Sequence, residues 1–258
     1  MPDEYPRVAS LTYRIVSDET HDYAKEAAFD GAIRAFDVRL RHRQAVFTPL
    51  VHFGTEEAAR AALEPQLRAW ELDAVLTHGA GTMGFKFLSA HVQKNPPRPG
   101  IIEAIGVASM SLAGMRATLT VTHNTHPAPP QAFAVDECVE TLGELFLLAR
   151  GTPLTLLYVS YSMTTCLEHY LGSLTEAAAW LGISNSVLHK INELANSRGV
   201  GAEVRKFDAR VQRLPLSRAE RDWLLRVLEL IVRRAGAATA GVSVGEQITL
   251  ATNPSPDQ

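Results

Sequence analysis

Ser184, Asn185, Ser186, His189 and Lys190 carry hydrogen-bonding groups at the spacing of one helix face. Asn pairs with adenine, and Ser bonds to several bases, when such a face enters the major groove. Arg198, Arg205 and Lys206 follow closely and supply cations suited to phosphate. The chemistry these residues imply is nucleic-acid contact, not bond making. Base reading of this kind needs a second helix held across a first one by a tight turn.

Leu174–Ala195, LTEAAAWLGISNSVLHKINELA, has the pattern of such a helix-turn-helix. Ser173 followed by Glu176 is a capping-box start. Ala177, Ala178, Leu181 and Ile183 form the apolar side of a short first helix and its turn. Gly182 falls where the chain must turn sharply, and glycine reaches positive φ at little cost. Ser184 is placed to cap the second helix. Leu188 and Ile191 return at helical spacing to pack on the first. The 11 basic residues between Lys190 and Arg234 face 6 acidic ones, a net of +5. Residues 1–150 hold 14 basic and 18 acidic residues, a net of −4. That asymmetry fits a C-terminal part that touches phosphate.

Three other groupings have chemical potential. Gly79-Ala-Gly81-Thr-Met-Gly84 matches G-x-G-x-x-G, with Glu103 about 20 residues on, where a ribose-binding acid would lie. A nucleotide-dependent enzyme at that loop requires a helix after Gly84, yet FKFLSAHVQK alternates like a strand. His123 and His126 are close enough to share a metal but lack further ligands nearby. Glu137, Glu140 and Glu144 share a helix face and, with His169, offer acid–base groups, although such spacing also describes a solvated face. No nucleophile elbow, phosphate loop or zinc-protease motif occurs. The sequence therefore predicts no catalytic residue, no cofactor and no resident metal.

The composition is that of a globular protein: 258 residues, 46% hydrophobic, 21% charged, net charge −3. A net charge this small gives no general reason to expect polyanion affinity, so any such contact must be local. Cys138 and Cys166 lie in apolar helical patterns and read as buried thiols of a reducing compartment. MPDEYPRVAS is not a signal peptide, and no uncharged stretch reaches membrane-spanning length. A cytoplasmic protein without membrane contact is expected.

Residues 8–125 alternate like strands: Val8–Val16, a strand around Phe36, Val38 and Leu40, its partner Ala45–Phe53, then Phe85–Val92 and Met115–His123. One helix interrupts them. Thr55 caps it, Leu63, Leu67, Trp70 and Ala74 face inward, and Pro65 should kink or restart it. HPAPPQ at 126–131 breaks the chain. Helices follow over Ala132–Ala149 and Leu154–Leu171, then the helix-turn-helix pair. A last helix opens at Ser217 and Glu220 and closes at Gly236. The expected fold is α+β: an N-terminal mainly antiparallel β-sheet with one helix (1–127), a C-terminal α-helical bundle (128–236) and a flexible tail (237–258) with a short extended piece near Ile248–Leu250. The last helix, Trp223–Arg234, is the expected surface for self-association or a protein partner.

The segments TLLYVSYSMTTCLEHYLG, SRGVGAEVRKF and LSRAERDWLLRVLELIVRRAG, within Thr152–Gly236, resemble the helical HEPN domains of prokaryotic defence and toxin systems. Catalytic members share an Arg-x4-6-His ribonuclease motif on a helix. This half has none; the match at Arg116-x6-His123 falls in an expected strand. The resemblance thus implies a catalytically silent module for binding or assembly. The leading expectation is a non-enzymatic, bacterial-type nucleic-acid-binding regulator, dimeric because one such motif seldom binds tightly alone. The silent interaction module and the nucleotide-dependent enzyme are the alternatives.

Overall fold

The computed structural model describes residues 5–41, 43–95, 121–199 and 214–254. The fold is α+β, and the chain divides into two compact units, Met1–Pro129 and Pro130–Gln258.

The first unit contains β1 (Arg7–Val16), β2 (His21–Tyr23), β3 (Ala28–Ile33), β4 (Phe36–Arg41), β5 (Gln44–Pro49), α1 (Glu56–His78), β6 (Gly84–Gln93) and β7 (Val121–His123). Five strands form an antiparallel sheet in the order β3-β4-β5-β1-β6. Alternation decides which face is buried. Leu11, Tyr13 and Ile15 on β1, Phe36, Val38 and Leu40 on β4, and Ala45 and Phe47 on β5 all point into one core. In β1–β5, Tyr13 lies opposite Ala45; in β1–β6 it lies opposite Phe87. α1 closes this core with Ala59, Leu63, Leu67, Trp70 and Ala74. Burial of each large side chain contributes about 1.5–3 kcal/mol.

Thr55 caps α1 by accepting the Ala58 amide at 3.2 Å. The helix continues through Pro65 without restarting. Its inward residues on both sides of Pro65 keep one packed stripe, which offsets the lost backbone bond. β2 and β3 were not legible as strands, and β2 pairs in parallel with β7. Of the expected strand Met115–His123, only Val121–His123 lies within the described residues.

The second unit contains α2 (Glu137–Gly151), a 3-10 turn at Pro153–Thr155, α3 (Leu156–Leu171), α4 (Leu174–Leu181), α5 (Asn185–Ser197) and α6 (Arg218–Thr239). α2 begins at Glu137 rather than Ala132 because Asp136 caps it, accepting the Val139 amide at 2.9 Å. Ser217 and Glu220 make the reciprocal capping box of α6. Gly236 does not end α6. It lies buried inside the helix, where a Cβ would run into the Phe133 ring. Trp223, Leu224, Val227, Leu228, Ile231 and Val232 fill the bundle core.

The C-terminal segment departs from the expected flexible tail. Residues up to Thr239 are helical, and Glu246, Ile248 and Asn253 beyond them are bonded to the bundle. Ile248 makes a parallel bridge with Ile183, and the Trp223 indole donates to the Asn253 carbonyl at 3.3 Å. The Ile248 bridge lies in the extended piece expected near Ile248–Leu250; paired backbone groups, rather than composition, order the segment around it. Among the described residues, no helix is long and apolar enough to cross a membrane.

Candidate nucleic-acid interface

α4 and α5 pack as two helices around a three-residue turn. Ser173 starts α4, its hydroxyl accepting the Glu176 amide at 3.2 Å and donating to the Glu176 carboxylate at 2.9 Å. The reciprocal half of the expected capping box is thus made to the hydroxyl rather than to the backbone. Gly182 adopts the left-handed conformation, φ 60° and ψ 36°. The Ile183 amide then reaches back to the Ala178 carbonyl at 2.9 Å, the wrapped helix end that a left-handed glycine allows. Ala177, Ala178, Leu181 and Ile183 are buried, as are Val187, Leu188, Ile191, Leu194 and Ala195 of α5. The apolar positions read from the sequence therefore hold the pair together.

The C-terminal segment clamps the turn. The Ser184 amide donates to the Ile248 carbonyl at 2.7 Å, and the Ile248 amide donates to Gly182 at 2.9 Å. Arg234 donates to the Glu246 carbonyl at 2.9 Å. Ser184 stands at the N-cap of α5, but its hydroxyl meets that of Ser186 at 2.8 Å instead of capping a backbone amide.

The expected contact residues divide by environment. Ser186 and His189 are exposed on the outer side of α5; Ser184, Asn185 and Lys190 are half-buried. The Asn185 side-chain amide donates to the Thr175 hydroxyl at 3.4 Å. Lys190 pairs with Glu193 at 2.9 Å, and its side chain is only 12% exposed. Arg198 corrects the sequence reading. Its guanidinium is 2.7 Å from Glu220, whose side chain is 4% exposed, so it neutralises a buried carboxylate rather than facing phosphate. Burial opposes ionisation of Glu220, but the Ser217 amide and hydroxyl and the Arg198 guanidinium outweigh it and hold the carboxyl below its ordinary range. Arg205 and Lys206 lie outside the described residues.

Pairing also reduces the expected basic character of α6. Arg233 pairs with Glu229, Arg218 with Asp222, and Arg221 donates to the Pro153 carbonyl. The apolar face of Trp223–Arg234 is core, which removes it as a surface for self-association.

The other groupings fare differently. Gly79 ends α1 and Gly84 begins β6, so the glycine loop joins helix to strand. A dinucleotide loop needs strand before and helix after, and the nucleotide reading fails on that point. Glu103 and Arg116 lie outside the described residues. The sequence missed the true partner of His123. β2 and β7 place His21 Nδ1 2.9 Å from His123 Nε2, with rings stacked at 5.2 Å. The His78 ring lies 6.0 Å from that of His123, whereas buried His126 stacks on Tyr23 at 4.3 Å. Burial, reinforced by His21 and His78, holds the His123 imidazole below its ordinary pKa. The parallel β2–β7 pairing is a long-range contact with no local signal. Among the described residues, no group of three or more His, Cys, Asp or Glu is set to hold a metal. Glu137 and Glu144 are exposed, Glu140 is half-buried, and exposed His169 lies edge-on to Tyr170. The carboxylate row is a largely solvated face.

Comparison with protein-family models, curated proteins and solved structures finds no match.

Proposed function

We propose that the protein is a bacterial-type, non-enzymatic nucleic-acid-binding regulator of the cytoplasm, with α4 and α5 as its helix-turn-helix. The supporting observation is the left-handed Gly182 turn. It joins two helices whose facing sides are buried while Ser186 and His189 remain exposed. The first turns of α5 approach base edges, with Ser186 and His189 as the principal readers. Ser184, Asn185 and Lys190 flank them, and Lys190 must exchange Glu193 for phosphate to contribute. Arg205 and Lys206 supply further phosphate contact. Two copies binding together raise the affinity, as in other proteins of this type, through a surface other than the apolar face of α6.

Fluorescence anisotropy with random duplex DNA and single-stranded RNA, across a salt series, tests this reading. Wild type binds at micromolar or tighter affinity that falls steeply with salt. A Ser186→Asp/His189→Glu variant loses binding at an unchanged melting temperature. Absence of binding at low salt, or indifference to the variant, refutes the reading. A second reading then takes its place: a catalytically silent HEPN-like protein-interaction module of a defence system. The internal pairing of Lys190 and Arg198 favours that alternative.

A further inference from the structure

Cys138 and Cys166 are 28 residues apart in sequence. The α2–α3 hairpin brings them to the same end, because one lies in the first turn of α2 and the other near the end of α3. Both are free thiols. Cys138 is buried at 6% exposure, whereas Cys166 is half-buried and opens onto a groove of about 430 Å³. Thr141 and Leu145 of α2, and Tyr161, Thr165 and His169 of α3, line that groove beside Cys166. The two thiols are neighbours, and each shifts the other's ionisation.

We propose that Cys166 and Cys138 are a peroxide-oxidisable dithiol, with Cys166 the attacking sulfur in the groove and Cys138 the resolving sulfur behind it. The division of roles follows from access. Only Cys166 lines an open groove, and only Cys138 is sheltered against direct attack. The effect of each thiol on the other's ionisation reinforces it. The neighbouring Cys138 thiol, opposed by burial, holds the Cys166 thiol below its ordinary pKa. Cys166, together with burial, pushes the Cys138 thiol well up, so it stays protonated. The thiolate is the nucleophile, and an accessible low-pKa cysteine beside a resolving cysteine is the arrangement of redox-sensitive thiols.

The chemistry balances with hydrogen peroxide as oxidant. The Cys166 thiolate attacks one peroxide oxygen, the O–O bond breaks, and the sulfur becomes a sulfenic acid as the other oxygen leaves as water after taking a proton. The Cys138 sulfur then bonds to the Cys166 sulfur. The S–O bond breaks, and the departing hydroxide takes the Cys138 proton to leave as a second water. The two thiols lose two electrons and two protons, and the peroxide is reduced to water. The α2–α3 hairpin holds the two thiols as neighbours, so the disulfide closes within the hairpin. The product staples α2 to α3. This inference does not depend on nucleic-acid binding.

The test is intact-mass and peptide mass spectrometry of the full chain after hydrogen peroxide treatment, with and without dithiothreitol. Wild type loses the mass of two hydrogens and yields a Cys138–Cys166 linked peptide that dithiothreitol abolishes. Cys138→Ser keeps the fold and the nucleophile; it stops at a Cys166 sulfenic acid that dimedone captures. Cys166→Ser forms neither product. Melting temperatures of the reduced variants confirm that both fold. Wild type that forms no intramolecular disulfide, or a dimedone adduct on Cys138 rather than Cys166, overturns the proposal.

Discussion

Replacing Gly182 with alanine tests the turn that orients α5. At φ 60° an L-residue with a Cβ is disfavoured by about 1–2 kcal/mol. The added Cβ would also lie 2.7 Å from Val244 Cγ2 and 3.1 Å from an Arg234 guanidinium nitrogen. Relief requires the C-terminal segment to move, which strains the two Ile248 backbone bonds at 2.7 and 2.9 Å. Weakening them adds about 1–2 kcal/mol, since each hydrogen bond is worth about 1 kcal/mol net. The expected loss is therefore about 2–4 kcal/mol. With a urea slope of about 2 kcal/mol/M, the midpoint of the transition falls by roughly 1–2 M. The assay is urea unfolding of the full chain followed by tryptophan fluorescence, because Trp180 and Trp223 report on this unit. Gly182→Ala/Val244→Ala separates the contributions. Removing the Val244 methyl groups relieves the contact and leaves only the backbone cost of about 1–2 kcal/mol. A single variant within about 0.5 kcal/mol of wild type, or a double variant no more stable than the single, refutes the reasoning.

Arg198→Ala strands the Glu220 carboxylate and should cost about 2 kcal/mol by urea unfolding at neutral pH. Glu220 has a depressed pKa. Its stabilisation is present above the unfolded-state value of about 4.3 and is lost as pH falls through the lower folded value. The Arg198→Ala penalty should shrink with it in an acid pH series. His123 also has a depressed pKa, so the folded state resists its protonation. Its contribution is present above about pH 6.5 and fades as pH falls through the folded value, and His123→Gln should flatten stability measured between about pH 7 and 5. Gly236→Ala should destabilise by about 1–3 kcal/mol despite a gain of about 1 kcal/mol in helix propensity, with Phe133→Leu restoring part of the loss in thermal melts.

Local signals were legible where periodicity and caps agree. Leu11, Tyr13 and Ile15 alternate into the sheet core, Thr55 and Ser217 open their helices, and Gly182 turns left-handed between α4 and α5. The misreadings come from contacts distant in sequence. Gly236 resembled a helix end because glycine usually marks one, yet the Phe133 ring explains it. Outside the extended piece expected near Ile248–Leu250, the C-terminal segment looked too small and polar to pack, and its order comes from bonds to Gly182, Ser184 and Trp223. The proposed contact face was half legible. Spacing placed Ser186 and His189 outward, but it carried no information that Glu193 and Glu220 would take Lys190 and Arg198. The histidine cluster depends on the β2–β7 pairing, which spans about a hundred residues.

The central claim is that the first turns of α5 meet nucleic acid. Backbone amide chemical shifts of the full-length, isotope-labelled protein, titrated with a random DNA duplex at low salt, locate contact directly. The account predicts shifts concentrated at Ser184–Lys190, reversed by added salt, with the β1–β6 sheet unaffected. Shifts confined to other surfaces, or none at all, contradict it.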